Sequence, residues 1–148
     1  RIMALDDPIK KMSKSAENEY SRISLMDPPN KIKKAIMRAT TDSDSEVRYD
    51  VENKPGVSNL LSIYSAFSGT PIEKLEKDYQ GKGYGDFKLA VGEAVADALS
   101  PIQAERAKLL ADKAYLNGVM QKGAESAALM ARRTLSKVYR KVGFYSGE

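Results

Sequence analysis

Lys10-Lys11-Met12-Ser13-Lys14-Ser15 sets two ammonium groups, Lys11 and Lys14, separated by two residues, among hydroxyl donors. On a loop, such a set can surround a polyphosphate and follow its charge during reaction, which would stabilise a departing pyrophosphate. Three other patterns invite chemistry and carry less of it. Asp42, Asp44 and Glu46 alternate as in a calcium loop, but Val47 and Asn53 stand where that loop needs Gly and a bidentate Glu, so the run reads as a solvated acidic loop. Gly81-Lys82-Gly83-Tyr84-Gly85 could bring backbone N–H groups to an anion. No strand precedes it, however, and Asp86 puts a negative charge where the phosphate would sit, so it reads as a structural turn between helices. Arg133, Lys137, Arg140 and Lys141 form a basic stripe that by itself reads as a solvated face.

Absences narrow the chemistry further. The 148 residues include no Cys, His or Trp. A disulfide framework, a thiolate nucleophile, a Ser/His/Asp triad and an imidazole- or thiolate-bound metal are therefore excluded, and no metal site is assigned. With 42% hydrophobic and 30% charged residues the chain is an ordinary soluble globular protein. No apolar run is long enough to span a bilayer and no signal peptide is recognisable, so the expected location is cytoplasmic, with no membrane partner. The net charge of +4 is unevenly placed: residues 1–38 carry +4, residues 39–100 carry −5 and residues 101–148 carry +5. Basic ends can meet phosphate-rich partners by releasing counterions.

The elements that must position these residues are mostly helices. The chain opens at Arg1 into Ile2-Met3-Ala4-Leu5, which reads as the exit of a strand whose sheet lies upstream. Asp6 to Ser24, with Asp7-Pro8 as a turn, lacks a 3.6-residue period and reads as a loop. Asp27 is expected to cap a helix with Pro28 at its first position, burying Ile32, Ala35, Ile36 and Ala39 and exposing Lys31, Lys34 and Arg38. After a polar loop over 40–55, Leu60, Leu61, Ile63, Tyr64 and Phe67 predict a buried helix stopped by Gly69. Thr70-Pro71-Ile72-Glu73 has capping-box spacing before a helix that buries Leu75 and Tyr79. Asp86 is expected to cap the next helix. Its apolar phase of Phe87, Val91, Ala94, Val95, Ala98, Ile102 and Leu109 passes straight through Pro101, as one kinked helix or two short ones. Asn117-Gly118 and Gly123 read as breaks before a last helix over 124–142, with Ala128, Ala131, Leu135, Val138 and Val142 facing inward.

Lys11 to Ser15 is the unmodified signature loop of class I aminoacyl-tRNA synthetases, and its surroundings resemble the bacterial tryptophanyl-tRNA synthetases. The likeness runs through Arg1-Ile2-Met3, Leu5, Pro8 and Lys10, then Thr41-Asp42-Ser43, Arg48-Tyr49-Asp50, Lys54-Pro55-Gly56-Val57-Ser58-Asn59-Leu60-Leu61 and Ile63-Tyr64. It continues in Gly81-Lys82-Gly83-Tyr84-Gly85, Phe87-Lys88, Pro101-Ile102-Gln103 and Gly123-Ala124, and so covers essentially the whole chain. The relatives specific for tyrosine usually carry a different residue set in the loop, which favours tryptophan.

The resemblance implies a mainly α fold. Residues 1–26 would be the last strand and signature loop of a nucleotide-binding α/β domain that is otherwise absent, and residues 27–148 a helical anticodon-binding bundle. It implies ATP-dependent activation of tryptophan with Mg2+ and transfer to tRNA(Trp), commonly by a homodimer. Carried over by motif, Lys11 and Lys14 are the catalytic residues that hold the triphosphate and leaving pyrophosphate, Ser13 and Ser15 support them, and Met12 and Ile2 lie against the adenine. The basic faces at 31–38 and 133–141 become RNA-facing or interdomain surfaces. Since the sheet and tryptophan pocket are missing, the chain is expected to be the latter portion of a longer enzyme, inactive alone. The alternative from another class is a stand-alone RNA-binding or interaction module that has kept the loop without the chemistry; a helical domain with merely solvated basic faces is the third reading.

Overall fold

Pro28-Pro29 decides where the first helix begins. A residue preceding proline is pushed out of the helical region, so Pro28 stays extended (φ −65°, ψ 154°) and α1 spans Pro29–Met37, one residue later than expected. Asp27 does not cap it; its carboxylate accepts from the Ser24 N–H at 2.8 Å and pairs with Lys31 at 3.1 Å. The computed structural model describes residues 1–145. Among them are five α-helices, a single 3-10 turn at Glu19–Ser21 and no strand; Met3 and Lys11 form an isolated antiparallel bridge.

The remaining helices are α2 (Pro55–Ser68), α3 (Ile72–Asp78), α4 (Tyr84–Ala111) and α5 (Lys113–Val142). Pro55 starts α2, since its missing N–H costs nothing in a first turn, and Gly69 ends it in the left-handed conformation (φ 70°). The capping box before α3 does not form: Pro71 is the N-cap, so Glu73 falls one position short of reciprocal bonding. α4 starts at Tyr84 with the Gly83 carbonyl receiving the Phe87 N–H at 3.3 Å, and Asp86 lies inside the first turn rather than at its cap. It then runs unbroken through Pro101. α5 likewise runs unbroken through Asn117, Gly118 and Gly123, capped by Asp112, whose carboxylate accepts from the Tyr115 N–H at 2.9 Å.

Two compact units result, Arg1–Ala104 and a second beginning at Glu105. The first has one core: Leu5, the α1 residues Ile32, Ala35 and Ile36, then Val57, Leu60, Leu61 and Ile63 of α2, Leu75 of α3, and Phe87, Val91, Val95 and Leu99 of α4. Tyr64, Tyr79 and Phe87 pack as tilted and edge-on rings with centroids 5.3–6.4 Å apart, an arrangement aromatic quadrupoles favour. In the second unit no α5 residue is buried, and Leu135, Val138 and Val142, expected to face inward, are about half exposed.

Gly56 sets the closest approach in the core. A Cβ there would overlap the Thr40 carbonyl oxygen, whose residue in turn bonds Leu5 and Asp6. Helix propensity alone would make Gly56→Ala stabilising by up to about 1 kcal/mol. Overlap with backbone reverses that sign, and the substitution is expected to lower unfolding free energy by about 2–3 kcal/mol in urea titrations.

Candidate functional site

The Lys11–Ser15 loop rests on the segment before it. The Ala4 N–H donates to the Lys10 carbonyl at 2.8 Å and the Met12 N–H to the Ile2 carbonyl at 3.2 Å, so Ile2 and Met12, ten residues apart, sit side by side. An Asx turn at Asp7 reverses the chain between them: its carboxylate accepts from the Ile9 N–H at 3.2 Å and its carbonyl from the Lys10 N–H at 3.0 Å. Asp7 also pairs with the Lys10 ammonium at 2.9 Å. That separates the three lysines. Lys10 is neutralised, whereas Lys11 and Lys14 are exposed and form no ion pair within the described residues. Ser13 and Ser15 come together, hydroxyl to hydroxyl at 3.2 Å, and the Ala16 N–H closes a turn on the Ser13 carbonyl at 3.3 Å.

Lys11 and Lys14 border different clefts. The one at Lys11 is about 280 Å³ and is lined also by Asp6, Asp7, Lys10 and Glu17. The one at Lys14 is about 480 Å³, lined by Met12, Arg22, Ile23, Ser24 and Leu25, with no carboxylate. Arg22 holds the far side of the loop, donating to the Ala16 carbonyl at 2.7 Å. An anion therefore meets two cations and no opposing charge on the Lys14 side. Sequence reading missed Arg22, whose only signal is a basic residue seven positions after Ser15. Among the described residues, no group of three acidic side chains is placed to bind a metal.

The acidic loop exposes Asp44 and Glu46, as expected of a solvated run, but it also encloses a buried cation. Lys54, 4% exposed, is enclosed by Asp44 at 2.8 Å, the Tyr84 hydroxyl at 3.1 Å and Asp42 at 3.3 Å, and Tyr84 donates in turn to Asp42 at 2.7 Å. Burial opposes the charge on Lys54, but bonds to Asp44, Tyr84 and Asp42 outweigh it and raise its pKa. Asp42 is likewise opposed by burial yet held low by Tyr84 and Lys54, and Asp44 is lowered chiefly by Lys54. Beside them Asp50 accepts from the Asn53 backbone and side-chain N–H groups and from Arg48, which lowers its pKa to about 2. Carboxylates lowered by folding contribute stability above their unfolded pKa, near 4, and lose it as pH falls through the folded value. Urea midpoints are therefore expected to hold between about pH 7 and 5 and to fall from about pH 4 toward 2, with Asp50→Asn removing part of that fall.

The basic faces differ. On α1, Lys31 pairs with Asp27 and Glu19, Lys33 with Glu93, and the Arg38 guanidinium lies 4.2 Å from the Tyr20 ring centroid, which leaves Lys34 the uncommitted cation of that helix among the described residues. On α5, Lys137, Arg140 and Lys141 line a shallow groove of about 360 Å³ with Thr134 and Val138.

The chain is similar to known proteins in sequence and in fold. Residues 1–100 match the family described as tRNA synthetases class I (W and Y). The tryptophan–tRNA ligase of Leifsonia xyli is 51% identical over 144 residues, 97% of this chain and 43% of that protein. The Bacillus subtilis tryptophan–tRNA ligase is 48% identical over 143 residues, with the same coverage of each. Among solved structures, tryptophanyl-tRNA synthetase from Mycoplasma pneumoniae superposes with a TM-score of 0.75 at 36% identity, covering 99% of this chain and 46% of that one. The Campylobacter jejuni enzyme, complexed with ADP and tryptophan, does so with a TM-score of 0.75 at 29% identity, covering 97% and 43%. The chain thus spans about two-fifths of the length of the curated relatives it matches.

Proposed function

We propose, from the premise that this chain belongs to the class I tRNA synthetase family of the tryptophan and tyrosine enzymes, that it serves as the carboxy-terminal part of a tryptophan–tRNA ligase. Residues 1–26 would be the end of its nucleotide-binding domain, and residues 27–148 its helical tRNA-binding domain. The observation that carries this reading is the intact Lys11–Ser15 loop, held by the Met12–Ile2 bond, with Lys11 and Lys14 exposed and in no ion pair among the described residues.

In the activation step a tryptophan carboxylate oxygen bonds the α-phosphorus of ATP, the bond from that phosphorus to the bridging oxygen breaks, and pyrophosphate leaves with the electron pair. Lys14 and Lys11 would hold the leaving phosphates, Ser13 and Ser15 would donate to them, and Ile2 and Met12 would lie against the adenine. Positioned charge does the work here and no general base is required, which suits a chain without His. Mg2+ would enter on the phosphates, because a small hard cation prefers phosphate oxygens and water to an all-protein cage. A hydroxyl at the tRNA end then takes the acyl group and AMP departs. The full ligase would act as a homodimer, with the Lys137–Lys141 groove facing RNA.

Aminoacylation tests this. The full-length polypeptide carrying this segment should charge tRNA(Trp) with tryptophan, while the 148 residues alone should neither charge it nor form adenylate. Charging of another tRNA, or adenylate formation by the short chain, would contradict the reading.

A further inference from the structure

We propose that Asn59 is a positioning residue for the signature loop, because its amide grips both backbone polar groups of Met3, the residue framed by the Ile2–Met12 and Ala4–Lys10 bonds. Asn59 Oδ1 accepts from the Met3 N–H and its Nδ2 donates to the Met3 carbonyl, both at 2.9 Å and across 56 residues of sequence. Ile2 and Ala4 turn their polar groups toward the loop, so those of Met3 point the other way, where a neighbouring strand would ordinarily satisfy them. Asn59 takes that neighbour's place from the first turns of α2. It is 6% exposed, and a buried amide with both ends bonded to one backbone residue fixes register as well as distance. Two other side chains hold the chain on either side of the loop: Thr40 donates through Oγ1 to the Asp6 carbonyl at 2.8 Å before it, and Gln103 donates to the Leu25 and Asp27 carbonyls at 2.8 and 3.0 Å after it. Asn59 is the side chain that, among the described residues, bonds the segment on which Met12 rests. The helical part thereby holds the loop at the height and angle that its lysines need, an inference that builds on the phosphate role assigned to Lys11 and Lys14.

The test has two arms. In the 148-residue chain, Asn59→Ala should speed hydrogen exchange at the Met3, Ala4 and Met12 amides roughly tenfold, the scale of one net hydrogen bond, while the Phe87 and Val91 amides keep their rates. Asn59→Asp keeps volume and acceptor but sets a carboxylate against the Met3 carbonyl, and should act in the same direction should the alanine variant not fold. Unchanged rates at Met3 and Met12, or a uniform rise through α2 and α4, would overturn the anchor. In the full-length ligase either variant should raise the KM for ATP roughly tenfold in pyrophosphate exchange and leave the KM for tryptophan within about twofold, a split that general loosening would not produce. Faster exchange at the anchor with an unchanged KM for ATP would overturn the positioning role. Absence of pyrophosphate exchange in the unsubstituted enzyme would instead overturn the ligase reading and leave the anchor to be judged on the first arm.

Discussion

Lys14→Ala in the full-length ligase is expected to slow adenylate formation roughly 100- to 1000-fold, or about 3–4 kcal/mol, the scale of losing one donor aimed at developing charge. Among the described residues Lys14 forms no ion pair, so its removal breaks nothing internal and the folded chain should persist unchanged. It borders the cleft that Arg22 shares and no carboxylate lines. Charge accumulates on the leaving pyrophosphate as the bridging bond breaks, so the ammonium gains more in the transition state than with bound ATP, and the loss should fall on the rate more than on affinity. Lys10→Ala is the matched control, since Lys10 is committed to Asp7. Single-turnover rapid quench with tryptophan and ATP measures the step. An unchanged rate for Lys14→Ala, or equal losses for both variants, would remove Lys14 from its role.

Lys54→Ala is expected to destabilise the first unit by about 3–5 kcal/mol, the scale of truncating a large core side chain. Lys54 is buried where the acidic loop meets α2, and its removal leaves Asp42, whose side chain is 23% exposed, charged with the Tyr84 hydroxyl as its remaining side-chain donor. Breaking a buried pair costs far more than the pair contributes, because the abandoned charge keeps its desolvation penalty. Asp44→Ala provides the contrast: the Asp44 side chain is 56% exposed and can rehydrate, so a much smaller loss is expected. With no Trp in the chain, tyrosine emission in urea is the natural readout, and Tyr64, Tyr79 and Tyr84 all lie in this unit. A cost for Lys54→Ala near that of Asp44→Ala would show the cluster to be an ordinary surface pair.

Much of the fold was legible because its signals are local. Ile32, Ala35, Ile36 and Ala39 repeat at helical spacing, and all four are buried. Gly69 ends α2 in the conformation that Gly adopts most cheaply. Boundaries went astray where two local rules compete. Asp27 and Pro28 looked like a cap and first turn, but Pro29 holds its predecessor extended. Asn117, Gly118 and Gly123 looked like breaks, yet each costs a helix only about 1 kcal/mol or less against Ala, and strong helix formers surround them in α5. Ile102 and Leu109 keep the apolar phase of α4 but are exposed, since periodicity reports which face is apolar and not whether anything covers it. Leu99, four residues after Val95 and so on the same face, is buried, as is Ala96.

The site divides in the same way. Lys11 to Ser15 stood out because its chemistry is contiguous in sequence. Lys54 and Asn59 did not, because each acts on partners far along the chain, Tyr84 at 30 residues and Met3 at 56. No period or spacing encodes such pairs. The reading of Asp42, Asp44 and Glu46 as a solvated run holds for the exposed Asp44 and Glu46 side chains, but it missed that Asp42 and Asp44 share one ammonium ten and more residues away.

The most direct test of the ligase assignment is amino-acid-dependent exchange of radiolabelled pyrophosphate into ATP by the full-length polypeptide that carries this segment, with tryptophan and tyrosine supplied in parallel. Exchange with tryptophan and none above background with tyrosine is the predicted result; exchange with tyrosine, or with neither amino acid, would contradict it.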